Sequence, residues 1–536
     1  MANEYGNYAT LDPLAPVTQT GAVTLSQGNR KVVGPSSAFW GVPSTMTLPS
    51  SGKFYVEAKI NGAGSGSKGG GLYVMTPGTE LDVVHYTVSG TAQEAVWGWH
   101  FQNNRHLVEN GADTSVAVAN SDGDIAQMAI DLDNNKVYMG INNTWYSAVN
   151  TTTNAPDNSG TQTFSLDASG KQIAANGYNN SGSVEMNFGA TAFAHTPPSG
   201  YLPLNTANLP TPAVVNYEDE YYVQAGISHS NGSTTAVTLP KTVSGGAMVR
   251  IKETDATTDW IMFDTVRGVN KSRDWNQAEA EDTSTFDDQN LTGTTFTMPS
   301  DLPSGTYLLE CFYVGSYFQI QTVTGNAGAR TITWPTEMDS YGFSAFFPRS
   351  GASSGIIHHK DIGAQQVLFA DGAGAVADRA NFSQAPNKTD FRTPASVGPD
   401  FNLNTIPYVC YGWANSGPYS FGSYNGNQST DGAFVNLGGF PQVIVSKPPN
   451  TGDSYLAMYH PLLGYNPNGV RQYWEENYAN STSTSDGMLD FVSNGVKFRT
   501  AGTGNNSTNS GYGTYLYFAF GIQSLTDGGV NQGRAK

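Results

Sequence analysis

Charge is scarce in this 536-residue chain: only 13% of its residues are Asp, Glu, Lys or Arg, and the balance among them is acidic, with a formal net charge of -18. The average field repels a polyanion and no long basic stripe opposes it, so nucleic acid is not an expected partner. Cysteine is nearly absent. Cys311 and Cys410 each lie in an apolar, aromatic run that reads as a buried strand, which predicts two packed thiols and excludes a disulfide framework. Long hydrophobic runs are missing as well. The longest, Tyr515 to Ile522, falls far short of the roughly 20 residues of a spanning helix, so no membrane insertion is expected. The opening residues Met1 to Asn7 have neither a basic nor an apolar region, so no secretory leader is expected.

Glycine (61), tyrosine (28), phenylalanine (25) and proline (27) are plentiful instead. Aromatic and β-branched side chains suit a pleated surface, while Gly, Asn and Pro supply turns. The length exceeds what one core usually serves. Together these predict an all-β, multidomain string of β-sandwich domains. Period-2 runs such as Lys53 to Ile60 and Gln127 to Leu132 read as half-buried strands, and Asp133-Asn134-Asn135 reads as a tight hairpin turn.

Residues 1-205 form the first expected domain, a β-sandwich. The stretch Leu204 to Pro212 has two prolines and no alternation and reads as extended, so a linker is placed at 206-216. Beyond it the chain repeats itself. Three segments open on an aromatic strand (Tyr221-Tyr222-Val223, Tyr317-Phe318-Gln319, Tyr419-Ser420-Phe421) and close on another (Tyr307-Leu308-Leu309, Tyr408-Val409-Cys410, Tyr515-Leu516-Tyr517). Their spacing of about 100 residues suits a sandwich able to bury its own core. The expected repeats are 217-316, 317-417 and 418-536, able to fold singly and to stack into a rod.

In order and spacing, Ser51 to Glu57, Ala129 to Asn134, Val184 to Gly189 and Pro197 to Tyr201 resemble the SPRY domain. The resemblance implies a curved two-sheet sandwich that recognises a protein or glycan and has no catalytic centre. The repeated region resembles a domain found beside SPRY-like modules in tail-fibre and other virion proteins of tailed phages. There a strand like Val443 to Lys447 precedes an aromatic-His pair like Tyr459-His460. The first copy departs, with Phe263-Asp264, and the second has His358-His359.

Familiar motifs have bland readings here. Gly64 to Gly69 satisfies G-x-G-x-x-G, but strand-like residues follow where a dinucleotide site needs a helix. Gly351 to Gly355 satisfies G-x-S-x-G between two strand-like flanks, which favours a hairpin over a nucleophile elbow. Asp131, Asp133 and Asn135 open like a calcium loop, yet Lys136 and Asn142 occupy its required Gly and Glu positions. The acidic run Glu279, Glu281, Asp282, Asp287 and Asp288 could hold a hard cation or be a solvated loop. Adjacent His358 and His359 point to opposite faces of a strand, which disfavours a shared metal. Trp275 and Trp474, with Tyr473, stand in polar surroundings where burial is not the obvious explanation, and are the candidate surface for stacking on a sugar.

The expectation is a non-enzymatic virion component, assembled in the host cytoplasm, with no cofactor, catalytic residue or metal. It is read as a tail fibre or receptor-binding protein that meets other virion proteins and a host-surface glycan or protein, working as a homotrimer. A head fibre or capsid decoration protein is the alternative reading, and a surface-polysaccharide depolymerase is the enzymatic one.

Overall fold

A computed structural model describes residues 8–524 apart from 15–16, 19–20, 36–38, 62–68, 76–95, 101–105, 110–111, 118–120, 146–148, 151–154, 157–163, 179–181, 211–215, 373–374, 380, 396–399, 448–454, 465, 483–486, 502–507 and 510–512. The described residues are almost entirely strand and turn. Their one helical element is the 3-10 turn Tyr217–Asp219, capped by Asn216, whose side chain accepts from Glu218 N. The chain divides into two units, the first ending at Thr211 and the second beginning at Pro212.

The first unit is a two-sheet β-sandwich. One sheet orders its main strands as Phe39–Thr47, Gln172–Tyr178, Gly69–Met75 and Val96–His100, and the other as Lys136–Ile141, Ile125–Asp131, Lys53–Asn61, Ser183–Asn187 and Lys31–Val33. The half-buried reading of Lys53–Asn61 and Ile125–Asp131 is corrected, because both are buried on both faces. The second face is covered by the returning chain, where Phe193 meets Tyr55 edge-on at 4.9 Å. Glu57, polar and therefore solvent-like in the pattern, is 3% exposed. Its carboxylate accepts Ala194 N at 2.7 Å, His195 N at 2.9 Å and the Tyr55 hydroxyl at 2.8 Å.

The extended reading of Leu204 to Pro212 is also corrected over its first half. Leu202–Pro203 pairs in parallel with Lys53–Asn61, Leu204 is fully buried, and Ala9 N donates to Leu204 O at 3.0 Å. Asn208 then closes a turn, its N–H donating to Asn205 Oδ1 and its Nδ2 to Pro203 O. Asparagine side chains satisfy the backbone here without a strand pattern. Residues 211–215 lie outside the described residues.

The second unit contains three large antiparallel sheets with one strand order. The first runs Tyr221–His229, Gly305–Tyr313, Ala247–Glu253, Ile261–Asp264, Arg273–Asp274. The second runs Phe318–Thr324, Pro407–Trp413, Phe343–Pro348, Ile356–His359, Gln366–Phe369. The third runs Tyr419–Asn425, Thr514–Phe520, Val443–Lys447, Ala457–Tyr459, Val470–Tyr473. In each, the opening and closing strands of the segment pair, and the rest add beyond the closing strand.

Register matches the three sheets residue by residue. Tyr221 faces Phe312, Phe318 faces Trp413 and Tyr419 faces Phe520. Because strand side chains alternate, one face of each sheet is free to pack differently from the other. One face covers a core of the sheet's own, capped by a small sheet such as Thr295–Met298, Asp390–Thr393 or Gly495–Phe498. The other face of all three meets in a single common core that includes Phe312, Trp413 and Phe520. The three sheets therefore do not stand in a row, each complete by itself. Cys311 and Cys410 are buried free thiols, and burial pushes Cys311 up to about 12.

Candidate functional site

At the centre of the common core lies a charge. Arg250 and Glu310, paired across neighbouring strands, are 1% and 0% exposed and joined by an Nη2 to Oε2 bond of 2.5 Å. Tyr221 donates its hydroxyl to the other oxygen of Glu310 at 2.7 Å. The guanidinium carbon lies 4.5 Å from the ring centres of both Trp275 and Trp474 and 5.1 Å from that of Trp260. Aromatic faces compensate part of the guanidinium's lost hydration. The matched positions are apolar or uncharged in the other sheets: Ala345 with Tyr411 in the second, Val445 with Phe518 in the third.

This placement corrects the reading of Trp275 and Trp474 as a sugar-stacking surface. Each is 1% exposed, and they contact one another at 5.7 Å. Their polar sequence neighbours belong to the ends of short strands, while the indoles point to the axis. Tyr473 is also buried, and its carbonyl accepts from Trp260 Nε1 at 2.8 Å. The structure does bring Tyr473 against Tyr455 and Tyr478, and Tyr478 is 45% exposed. Its ring stands edge-on to both, at 89° and 81°. An aromatic residue amid Glu475, Glu476, Asn477 and Asn480 was the available sequence signal, and Tyr478 rather than Trp474 carries the exposed ring. Trp97 and Trp99 have side chains outside the described residues.

The seams between sheets are polar. Between the first and second, Tyr411 donates to Asp264 Oδ2 at 2.7 Å, and Glu281 bridges Arg267 at 2.9 Å and Arg349 at 2.8 Å. Burial opposes the charge of Arg267, but Tyr411, Asp264 and Glu281 outweigh it and hold its pKa above the usual arginine range. Arg273 donates to Pro348 O and Ser353 O. Between the third and first, Asn480 N donates to Thr254 O at 2.9 Å. Between the second and third, His359 is the link. Asp361 N donates to its Nδ1 at 3.1 Å, which leaves Nε2–H to donate to Tyr517 O at 3.3 Å.

That bond clarifies the aromatic-His motif. Asp264, His359 and His460 occupy the same strand end, and each accepts the N–H two residues on, from Val266, Asp361 and Leu462 respectively. An aspartate and a histidine can both close this turn, so Asp264 fills in the first sheet the role that histidine fills in the other two. Burial pushes His358 down to about 4 and His359 down to about 3. His358 Nδ1 is 2.9 Å from the Tyr341 hydroxyl, and the two histidines do not converge on a metal position.

The other motifs resolve into structure. Gly351, at φ +79°, sits in a hairpin between Phe343–Pro348 and Ile356–His359, and a Cβ at Gly355 would strike the Phe347 ring at 2.1 Å. Asp131 accepts from Asn134 and Lys53, and Asp133 from Gly52 N. Gly64 to Lys68 lie outside the described residues. The acidic run is dispersed: Glu281 is taken by arginines, Asp282 accepts from Ser284 N and Thr285 N, and Asp288 accepts from Ser300 N. Among the described residues no group of three or more His, Cys, Asp or Glu is placed to hold a metal.

Comparison with known proteins finds one family model that matches part of the chain and several partial likenesses to solved structures. Residues 314–523, the second and third sheets, match the family described as "Domain of unknown function (DUF7483)". No curated protein matches. The SPRY domain of human HERC1 is similar over 34% of this chain and 99% of its own, at 14% identity and a TM-score of 0.24. The TRIM65 PSpry domain matches over 34% and 92%, at 14% identity and a TM-score of 0.23. Lectin I-B4 from Griffonia simplicifolia matches over 32% and 89%, at 12% identity and a TM-score of 0.22. These are likenesses of fold over about a third of the chain.

Proposed function

We propose that the chain is a non-enzymatic binding and structural component of a tailed-phage virion, a tail fibre or receptor-binding protein that meets a host-surface glycan or protein. The observation that carries this reading is the organisation of the second unit, three sheets of one strand order around a common core. We read them as three copies of one repeat, of the kind the sequence resembles. Such a unit is stiff because the sheets share apolar faces, and its polar groups are spent on seams. The exposed, edge-supported ring of Tyr478 is an aromatic surface suited to the C–H face of a sugar. Head fibre and capsid decoration protein remain the alternative within this class.

Imaging of particles that carry this protein tests the reading. Density accounted for by the chain at the tail supports the fibre. Density on the capsid supports decoration, and absence from the particle overturns the proposal.

A further inference from the structure

The three seams of the second unit run in one direction around its core. The first sheet's Asp264 meets the second sheet's Tyr411, the second sheet's His359 meets the third sheet's Tyr517, and the third sheet's Tyr473 meets the first sheet's Trp260. Each contact joins a different surface on its two partners, which is the heterologous arrangement that either propagates or closes. Here it closes after three steps. The joining segments are short, running from Tyr313 to Phe318 and from Trp413 to Tyr419, so each sheet is tethered beside the next at high effective concentration.

The ring is also specified to contain one of each sheet. Arg250 and Glu310 occur in the first sheet alone, and the guanidinium fills the space between Trp275 of the first sheet and Trp474 of the third. The second sheet has Ala370 in the matched position, since Trp275 N, Ala370 N and Trp474 N donate to Trp260 O, Gly355 O and Leu456 O. A ring of three first sheets would bring three arginines to one axis, and a ring of three second sheets would lack both indoles.

We infer that residues 212–525 are a closed, single-chain ring of three sheets, in which the faces a homotrimer would use are already occupied by the chain's own segments. No second copy is then needed to complete this unit, and a homotrimer of the kind expected from sequence would have to use other faces. Its three small sheets differ: Thr235–Thr238 is uncharged, the second carries Arg330 and the paired Arg392 and Asp390, and the third carries Asp490 beside a buried Lys497. One chain thus offers partners three related but unequal surfaces, which a ring of identical sheets cannot do. The inference rests on the seams alone and holds whether or not the virion assignment does.

Spin labels test it in the full chain. Val269 in the first segment and Leu462 in the third are 58% and 49% exposed, whereas the native cysteines are buried and resist labelling. The Val269→Cys, Leu462→Cys chain is co-expressed with a large excess of unsubstituted chain, purified and labelled. A closed intrachain ring gives one sharp dipolar distance whose modulation depth per labelled chain is independent of the excess. If sheets are exchanged between chains, that distance fades as substituted chain is diluted, and the inference is overturned. The unsubstituted excess folds normally, so association through other surfaces leaves this intrachain readout unchanged.

Discussion

Removing Glu310 by Glu310→Leu should cost far more alone than together with Arg250→Met. In the native protein the guanidinium is out of water, held by one carboxylate at 2.5 Å and by indole faces. Deleting one partner leaves a buried, uncompensated charge, a loss of about 3–5 kcal/mol, whereas replacing both with apolar groups is often neutral or stabilising. The protein itself shows that apolar pairs fit this register, with Val445 facing Phe518 in the third sheet. Methionine fits between Trp275 and Trp474 through sulfur–aromatic contact. Native-state hydrogen exchange of the strands Tyr221–His229 and Gly305–Tyr313 reads the effect directly. Each single variant should exchange faster by roughly a hundredfold to a few thousandfold, since about 1.4 kcal/mol is tenfold. The double variant, made in a Tyr221→Phe background so that no buried hydroxyl loses its acceptor, should stay within about tenfold of that background by the same conversion. A double variant as damaged as the sum of the singles would refute the claim that desolvated charge, rather than shape, dominates this position.

Three further outcomes follow from buried groups. His358 and His359 have folded pKa values of about 4 and about 3, below the unfolded value, so their contribution is complete above pH 6.5 and is lost as pH falls toward those values. The loss at pH 5 is about 2 kcal/mol per histidine; calorimetry should show it, and H358F, with the residue matched in the first sheet, should show about half the pH slope. Trp474→Ala should destabilise the second unit by about 3–5 kcal/mol, while Tyr478→Ala changes stability by less than about 0.5 kcal/mol, as denaturant melts would resolve. Glu57→Ala removes the acceptor of the Ala194 and His195 amides and orphans the buried Tyr55 hydroxyl, the last at about 1 kcal/mol or more, so exchange at Ala194 and His195 should accelerate; unchanged protection would contradict the clamp.

Strands were legible because their residues are chosen for a pleated surface: Tyr515 to Phe520 has no other comfortable state. The hairpin at Asp133 to Asn135 was legible for the same local reason, and Asn135 adopts φ +53°. What local pattern cannot convey is a second covering layer. Glu57 looks like a solvent residue in a period-2 run, and only the return of distant Phe193 to His195 makes it internal. Trp275 and Trp474 look stranded among polar residues, because Arg273, Asn276 and Glu475 are themselves buried, Arg273 bonded across a seam and the other two within their own segments. Alternation was visible along each strand, yet nothing along one strand shows that three distant faces converge on the same core. The departure of Phe263-Asp264 from the aromatic-His pair was legible, but not its reason, a turn-closing acceptor that Asp264 supplies as well as His359 and His460 do.

The proposal that this chain is a virion component that binds rather than catalyses is tested most directly by offering the purified protein to cells that a particle carrying it infects, and following both adsorption and surface polymer. Saturable binding that competes with particle adsorption, with the length of capsular or lipopolysaccharide material unchanged, is the predicted result. Shortening of that polymer, or no binding to any cell the particle infects, would contradict the account.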